Sequence, residues 1–376
     1  MKENNYNNYE NINKNLSKNI TTLRPFIHIS PSISMICIKL FILLGLQILM
    51  LIITKSYNSL ALVFTSFCGA ACASSLSYLI YKDPIYNCWP LLIQGILIGL
   101  LLPESYPLAT VFIITFSCLF VSRTLVFKSI NSWVNVPVVA VIVAWFIGSN
   151  YFPSFLISNE MLTLKNPSTY LIQDGTFNIY KFDSIITNFL NSSIFRLFKI
   201  NVPEGYVSLW WDCKSVIPAF RFNFITIISS IIIFSDNSFN PTVPTFFITV
   251  YIILVRLFAP VFVGGNINSG DILLALLTSG TLFTATFLIQ WFGTTPITLA
   301  GKIIYGCIAG CMAFFITGCG TSPIGMVYTV LVSNIVNLLI RYFEEKNNKI
   351  KLNLILNCLD QSEIDKVNAK LNKGEF

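Results

Sequence analysis

Charge is scarce in this chain. Only 11% of its 376 residues are charged, against 54% hydrophobic and 14% aromatic, and the mean hydropathy is +0.70. That balance excludes a soluble domain of this size, which would need a far more polar surface. Histidine is nearly absent. The one present, His28, cannot build a site alone, so a capping or interfacial role is expected for it. The ten cysteines show no C-x-x-C spacing and fall mostly within apolar runs. Cys68 with Cys72, and Cys307 with Cys311, stand at i,i+4. Packing residues in Gly/Ala-rich helices explain them, and a metal centre shared with another subunit is the alternative. No glycine-rich nucleotide loop occurs. Basic residues are not clustered among exposed aromatics on a soluble face, which sets aside nucleic acid as a partner despite a formal net charge of +7. The first 34 residues are Asn-rich and polar, without the apolar stretch and small-residue cleavage site of a signal peptide, so a retained N-terminal tail is expected.

Long apolar runs, by contrast, are plentiful. Ten candidate spans lie at roughly 35–53, 58–81, 88–102, 108–127, 133–152, 216–235, 243–263, 272–291, 298–318 and 323–341. Most suit a hydrocarbon layer about 30 Å thick at about 1.5 Å of helical rise per residue. The third is short and the sixth opens with Pro218 and Arg221, which leaves nine or eleven spans open as counts. The expected fold class is an all-α polytopic membrane protein embedded in the lipid bilayer. Orientation follows from lysine and arginine. Lys2, Lys14, Lys18 and Arg24, six lysines between 346 and 373, and Lys82, Arg123 and Lys128 of the even loops share one face. The odd loops offer Lys55 and little else. Both termini are therefore expected in the cytoplasm. The resulting organisation is a cytoplasmic tail 1–34, a membrane half 35–152, an extracytoplasmic connection 153–215, a second membrane half 216–341 and a cytoplasmic tail 342–376.

Five spans per half, an odd number, implies inverted repeats. The third span (QGILIGLLLPESYP, 94–107) and the eighth (TSGTLFTATFLIQWFGTTP, 278–296) are both glycine-containing and end in a proline turn, as corresponding elements would. Transporter folds place ion or substrate sites at such repeat interfaces. Two charges qualify as ion-path candidates. Arg256 lies near the middle of the seventh span, where an exposed charge is costly, so it should face a partner, a cavity or another subunit. Asp271 opens the eighth span behind GGNINSG, as a helix cap or as a carboxylate that approaches a cation together with backbone carbonyls.

From Gly264 to Arg341 only Asp271, Lys302 and Arg341 are charged, and the stretch carries SGD (269–271), TTPITLAGKIIYG (294–306) and GTSPIGMVYTVLVSN (320–334). With LIQGILIGLLLPESYP of the third span, these motifs resemble the RnfD/NqrB family, whose members are membrane subunits of the Rnf electron-transport complex and of the sodium-translocating NADH:quinone reductase. The resemblance runs from SPSIS near residue 30 to Arg341 and leans towards the Rnf branch. It implies ten helices in two inverted halves, a urea-transporter-like fold, and a place in the bacterial inner membrane within a redox-driven pump for Na+ or H+. Electrons from NADH or ferredoxin would enter through the other subunits of that complex. FMN would be bound covalently to a threonine outside the cytoplasm by a flavin transferase, with room in the family for a second flavin.

The family motif resembles D-x-x-S-G-A-T, and the matching segment here is YKFDSIITNFLN, where Ser184-Ile185-Ile186-Thr187 replaces S-G-A-T. The resemblance therefore carries the FMN attachment to Thr187, with Ser184 beside it. Two isoleucines replace the small residues that would ease approach of a transferase to the backbone. Other motifs also depart: Asn135 and Pro137 are not adjacent before span five, and Gly205 is followed by YVSLWWDCKS, whose Trp210 and Trp211 suit interfacial anchoring. Without any flavin, the segment reads as an Asp-Gly hairpin (168–182) followed by a helix capped by Asp183, with Ile185, Ile186, Phe189, Leu190, Ile194 and Phe198 as a stripe lying on the membrane surface. A phosphate near the start of that helix would be compatible with the same reading. Two other functions remain open, a flavin-free channel or transporter of the same fold, and a structural subunit that has lost its flavin.

Overall fold

The computed structural model describes residues 32–81, 88–126, 133–153, 160, 163, 179–199, 201–235, 239–265, 267–317 and 324–372. His28, the Asp-Gly turn, Cys319 and the start of the GTSPIG motif lie outside them. Among the described residues the chain is helical, with no strand. Five helices are long and apolar enough to cross a membrane: α1 (Ile33–Ile53), α2 (Tyr57–Tyr81), α9 (Thr242–Phe262), α12 (Leu299–Ile316) and α13 (Gly325–Asn372). Four shorter apolar helices, α3 (Cys88–Leu101), α4 (Leu108–Val121), α5 (Val136–Ile147) and α8 (Asn223–Ser235), fill the other expected places but one. The eighth span is interrupted. It consists of α10 (Ile272–Thr278), a break at Ser279–Gly280, α11 (Thr281–Phe283) and a π-helical turn, Thr284–Leu288. Gly280 makes the break possible, because its φ of +76° suits glycine and a Cβ there would strike the ring of Phe220. Outside the membrane spans lie α6 (Lys181–Ser193) and α7 (Tyr206–Trp211). The chain is thus an all-α, multi-pass membrane protein.

Helix starts follow the local chemistry. Ser32 accepts from Met35 N ahead of α1, Thr298 from Gly301 N ahead of α12, and Pro137 sits in the first turn of α5. Packing repeats between the halves. α2 packs on α4 as α9 packs on α12, α4 on α5 as α12 on α13, and α1 on α3 as α8 on the interrupted span. The pairs α1–α8 and α5–α13 join the halves. A buried bond from Gln47 Nε2 to Thr226 Oγ1 (2.9 Å) ties the first of these pairs. Because lipid offers little hydrophobic drive between helices, close backbone approach matters. Gly95 and Gly99 of α3 lie against α2, and Gly306 and Gly310 of α12 against α9, so the same small-xxx-small device serves both halves.

Side-chain contacts sort the loops into two faces. Arg221, just before α8, reaches Ser56 of the first loop and Glu104 of the third, and Tyr206 of the fifth reaches Asp271 at the end of the seventh. On the opposite face Gln290 Nε2 donates to Asn240 O (2.6 Å), and Arg341 and Glu344 hold Thr295 and Thr298. Among the described residues the first, third, fifth and seventh loops therefore share one face, as the alternation of spans requires. α13 continues as helix well past Arg341, where the sequence suggested a tail.

Candidate functional site

On the odd-loop face α6 and α7 lie over the start of α10. α6 begins at Lys181, with Tyr180 as its cap residue, so Asp183 lies inside the first turn and does not cap it. Asp183 is fully buried. Its carboxylate accepts four hydrogen bonds, from Thr187 Oγ1 (2.9 Å), Gly205 N (3.0 Å), Ser208 N (2.7 Å) and Ser208 Oγ (2.6 Å). A carboxylate in the first turn also suits the positive end of the helix dipole. Further along the helix, Asn191 exchanges two bonds with the backbone of Val202, at 2.9 and 3.0 Å. α6 is thereby held to the approach of α7 by its polar face.

Its apolar face turns away from the protein. Ile185 is 71% and Phe189 65% exposed, with Ile186 and Ile194 also exposed, whereas Thr187 is 2% exposed. The amphipathic stripe read from the sequence exists, and the structure adds what anchors its back. An aromatic run links this face to the membrane helices: Tyr180 stacks on Phe182, Phe182 meets Trp211 edge-on, and Trp211 lies 6.2 Å from Phe224 of α8.

The structure joins Thr187 to Asp271 through α7. Tyr206 Oη donates to Asp271 Oδ2, and Asp271 Oδ1 caps α10 by accepting from Leu274 N at 3.0 Å. Arg256 binds the segment just before Asp271. It lies six residues before the end of α9, exposed, and turns to the returning loop, donating Nε to Asn268 Oδ1 (2.9 Å) and Nη1 to Gly270 O (3.0 Å). Its partners are thus within the chain, and its place is the polar end of the span. Among the described residues Ser184 Oγ donates back to Lys181 O, at 3.3 Å.

A second cluster was not singled out from the sequence. Asp212, 4% exposed at the end of α7, takes a two-pronged grip from Arg221, Nε to Oδ1 at 2.7 Å and Nη2 to Oδ2 at 2.9 Å. The Arg221 guanidinium also bonds Ser56 and lies 3.5 Å from Glu104. Beside it opens a recess of about 500 Å³ lined by Lys55, Lys214, Glu104 and Arg221 among others. Lys55 and Lys214 both have positive φ, a strained setting for non-glycine residues. Opposite charges beside a Trp pair in an otherwise apolar region were the signal that the sequence offered. Burial pushes the neighbouring Cys213 thiol up to about 12.

A flavin phosphoester on Thr187 can be tested against these groups. The acceptor hydroxyl is buried and already donates to a carboxylate. Ester formation would remove that donor and set phosphate charge against fully buried Asp183. Thr187 is also the seventh residue of α6, beyond the free N–H groups of the helix start. The adjoining recess, about 460 Å³, is lined by Thr187, Asn188, Asn191, Asn201, Val202, Pro203 and Glu204, which adds a second carboxylate. These residues do not fit the group in this arrangement.

No curated protein matches the chain significantly. A family profile described as "NQR2, RnfD, RnfE family" matches residues 20–349. Those limits enclose both membrane halves, the interrupted span and the clamp around Asp183, and the chain belongs to the NQR2, RnfD, RnfE family.

Proposed function

We propose that this chain is the membrane subunit through which a redox-driven complex of Rnf/Nqr type moves Na+ or H+, assembled with the other subunits of that complex. Both termini and the arm of α13 face the cytoplasm, and α6 and α7 lie outside, in a bacterial inner membrane. The observation that carries the translocation role is the interrupted eighth span. Its break and π-helical turn release backbone groups from the regular ladder inside the membrane layer, which is tolerated where they line a protein-enclosed path. Asp271 and Arg256 act by fixing the entry of that span. The test is reconstitution into vesicles. NADH- or ferredoxin-driven cation uptake should require this chain together with its partner subunits. Solute flux through the chain alone would replace this reading with that of an independent channel or transporter.

The family resemblance would add FMN on Thr187, installed by a flavin transferase. The buried Asp183 carboxylate favours a flavin-free form of the same role, with the loop acting as a clamp and electron transfer left to partners. The two readings separate in one experiment, in which the chain is coexpressed with a transferase shown to act on another substrate, denatured, and examined for flavin fluorescence. No fluorescent band is expected. A band that disappears in Thr187→Ala restores the covalent flavin.

A further inference from the structure

The seam where α12 and α13 meet the end of the interrupted span holds polar side chains with no role so far. Asn337 is fully buried in α13, and neither its Oδ1 nor its Nδ2 has a hydrogen-bond partner among the described residues. On the same helix face, Asn334 Nδ2 and Ser333 Oγ are buried and equally open. Thr284 Oγ1 of the π-helical turn is open too, whereas Thr329 and Thr278 close onto the carbonyl four residues back, Gly325 (2.8 Å) and Leu274 (2.6 Å). Ser333 does not. Facing it, Tyr305 Oη stands 3.4 Å from Ile289 O and 3.5 Å from Asn334 Oδ1. Both exceed the usual O–H···O length of about 2.8 Å, and a single proton serves only one of them. At the same segment Asn135 gives Nδ2 to Leu288 O at 2.9 Å and leaves Oδ1 open.

Buried amides in a membrane interior are satisfied by something, and the open atoms say what. They include donors, the NH2 groups of Asn334 and Asn337, and acceptors, the amide oxygens of Asn337 and Asn135. Flipping an amide exchanges the two kinds without removing either. An alkali cation would engage the oxygens and leave the NH2 groups unserved. Water donates and accepts. We propose that this seam is a hydrated, uncharged site, in which bound waters connect Asn337, Ser333 and Asn334 with Tyr305 and the Ile289 carbonyl. The site would give the second membrane half an internal polar path with no carboxylate in it.

The test is hydroxyl-radical footprinting by X-ray radiolysis of the full chain in lipid nanodiscs, read by mass spectrometry. Radicals form where water is held, so Tyr305 should be oxidised several-fold faster than equally buried Phe247, each normalised to the denatured chain. Asn337→Leu should lower Tyr305 oxidation several-fold. Equal, slow oxidation of Tyr305 and Phe247 in the unmutated chain overturns the proposal, whether or not the variant folds. Saturable protection of Tyr305 when NaCl replaces choline chloride would assign a cation instead and also overturn it.

Discussion

Replacing Asp183 with alanine removes one acceptor group that serves four donors. The two hydroxyls, on Thr187 and Ser208, can rotate to other partners, but the N–H groups of Gly205 and Ser208 point at the carboxylate from fixed backbone positions. A buried donor left without a partner costs about 1–3 kcal/mol, so two cost about 2–6 kcal/mol. Part of this is returned because burying the carboxylate was itself unfavourable. A net local loss of about 2–4 kcal/mol is expected, felt where α6 meets α7. At about 1.4 kcal/mol per factor of ten, amide exchange at Gly205 and Ser208 should accelerate by about 30-fold to about 1,000-fold. Hydrogen exchange with mass spectrometry on detergent-solubilised protein measures this directly. Peptides from α12 serve as the internal reference and should not change. Asp183→Asn keeps one accepting oxygen and should fall between the parent and the alanine variant. Unchanged exchange at Gly205 and Ser208 in Asp183→Ala would refute the clamp and, with it, the objection to a phosphoester on Thr187.

Further outcomes follow from the same contacts. Arg221→Gln should lower thermal stability by about 3–5 kcal/mol because it leaves Asp212 buried and uncompensated, and Arg221→Lys should recover only part of that because a point charge cannot make the two-pronged grip. A fluorescence-detected melting series checks both. Gly99→Val should destabilise the α2–α3 contact by about 1–3 kcal/mol, since its Cβ would stand 2.7 Å from Val63 Cα, a backbone atom that cannot step aside. Melting in detergent reads this loss. Burial pushes the Cys213 thiol up to about 12. It therefore stays protonated across the neutral range, and maleimide should label it only after unfolding. Rapid labelling of the native protein at about pH 8, near the ordinary thiol range, would contradict its burial.

Five of the spans were readable because hydrocarbon thickness imposes a length, and their apolar runs meet it. Grouping by fives was readable from the count of spans, and the packing of α2 on α4 recurs as that of α9 on α12. The interruption of the eighth span was not readable, since glycine is frequent in membrane helices and nothing in the run marks the φ of +76° at Gly280 or the Phe220 ring packed beside it. Asp183 was legible as an acidic residue at a helix start. Its partners stand 22 and 25 residues further on, a relation that no periodicity reports. Arg256 was placed mid-span from its position in an apolar run, but the loop after α9 folds back to meet it. Asp212 and Arg221 stood out only as opposite charges in an apolar region, because the irregular turn between them gives no spacing from which to read their pairing.

α13 has a mechanical consequence. Its helix runs unbroken to Asn372, so about 31 residues past Arg341 extend it by about 46 Å at about 1.5 Å each. A helical extension of that length acts as a lever whose fulcrum lies in the membrane. If the span tilts by about 10°, the tip moves about 8 Å over that same length. Small rearrangements at the α12–α13 seam would thus be enlarged to the scale of a side-chain layer at the point where a neighbouring subunit could grip the arm.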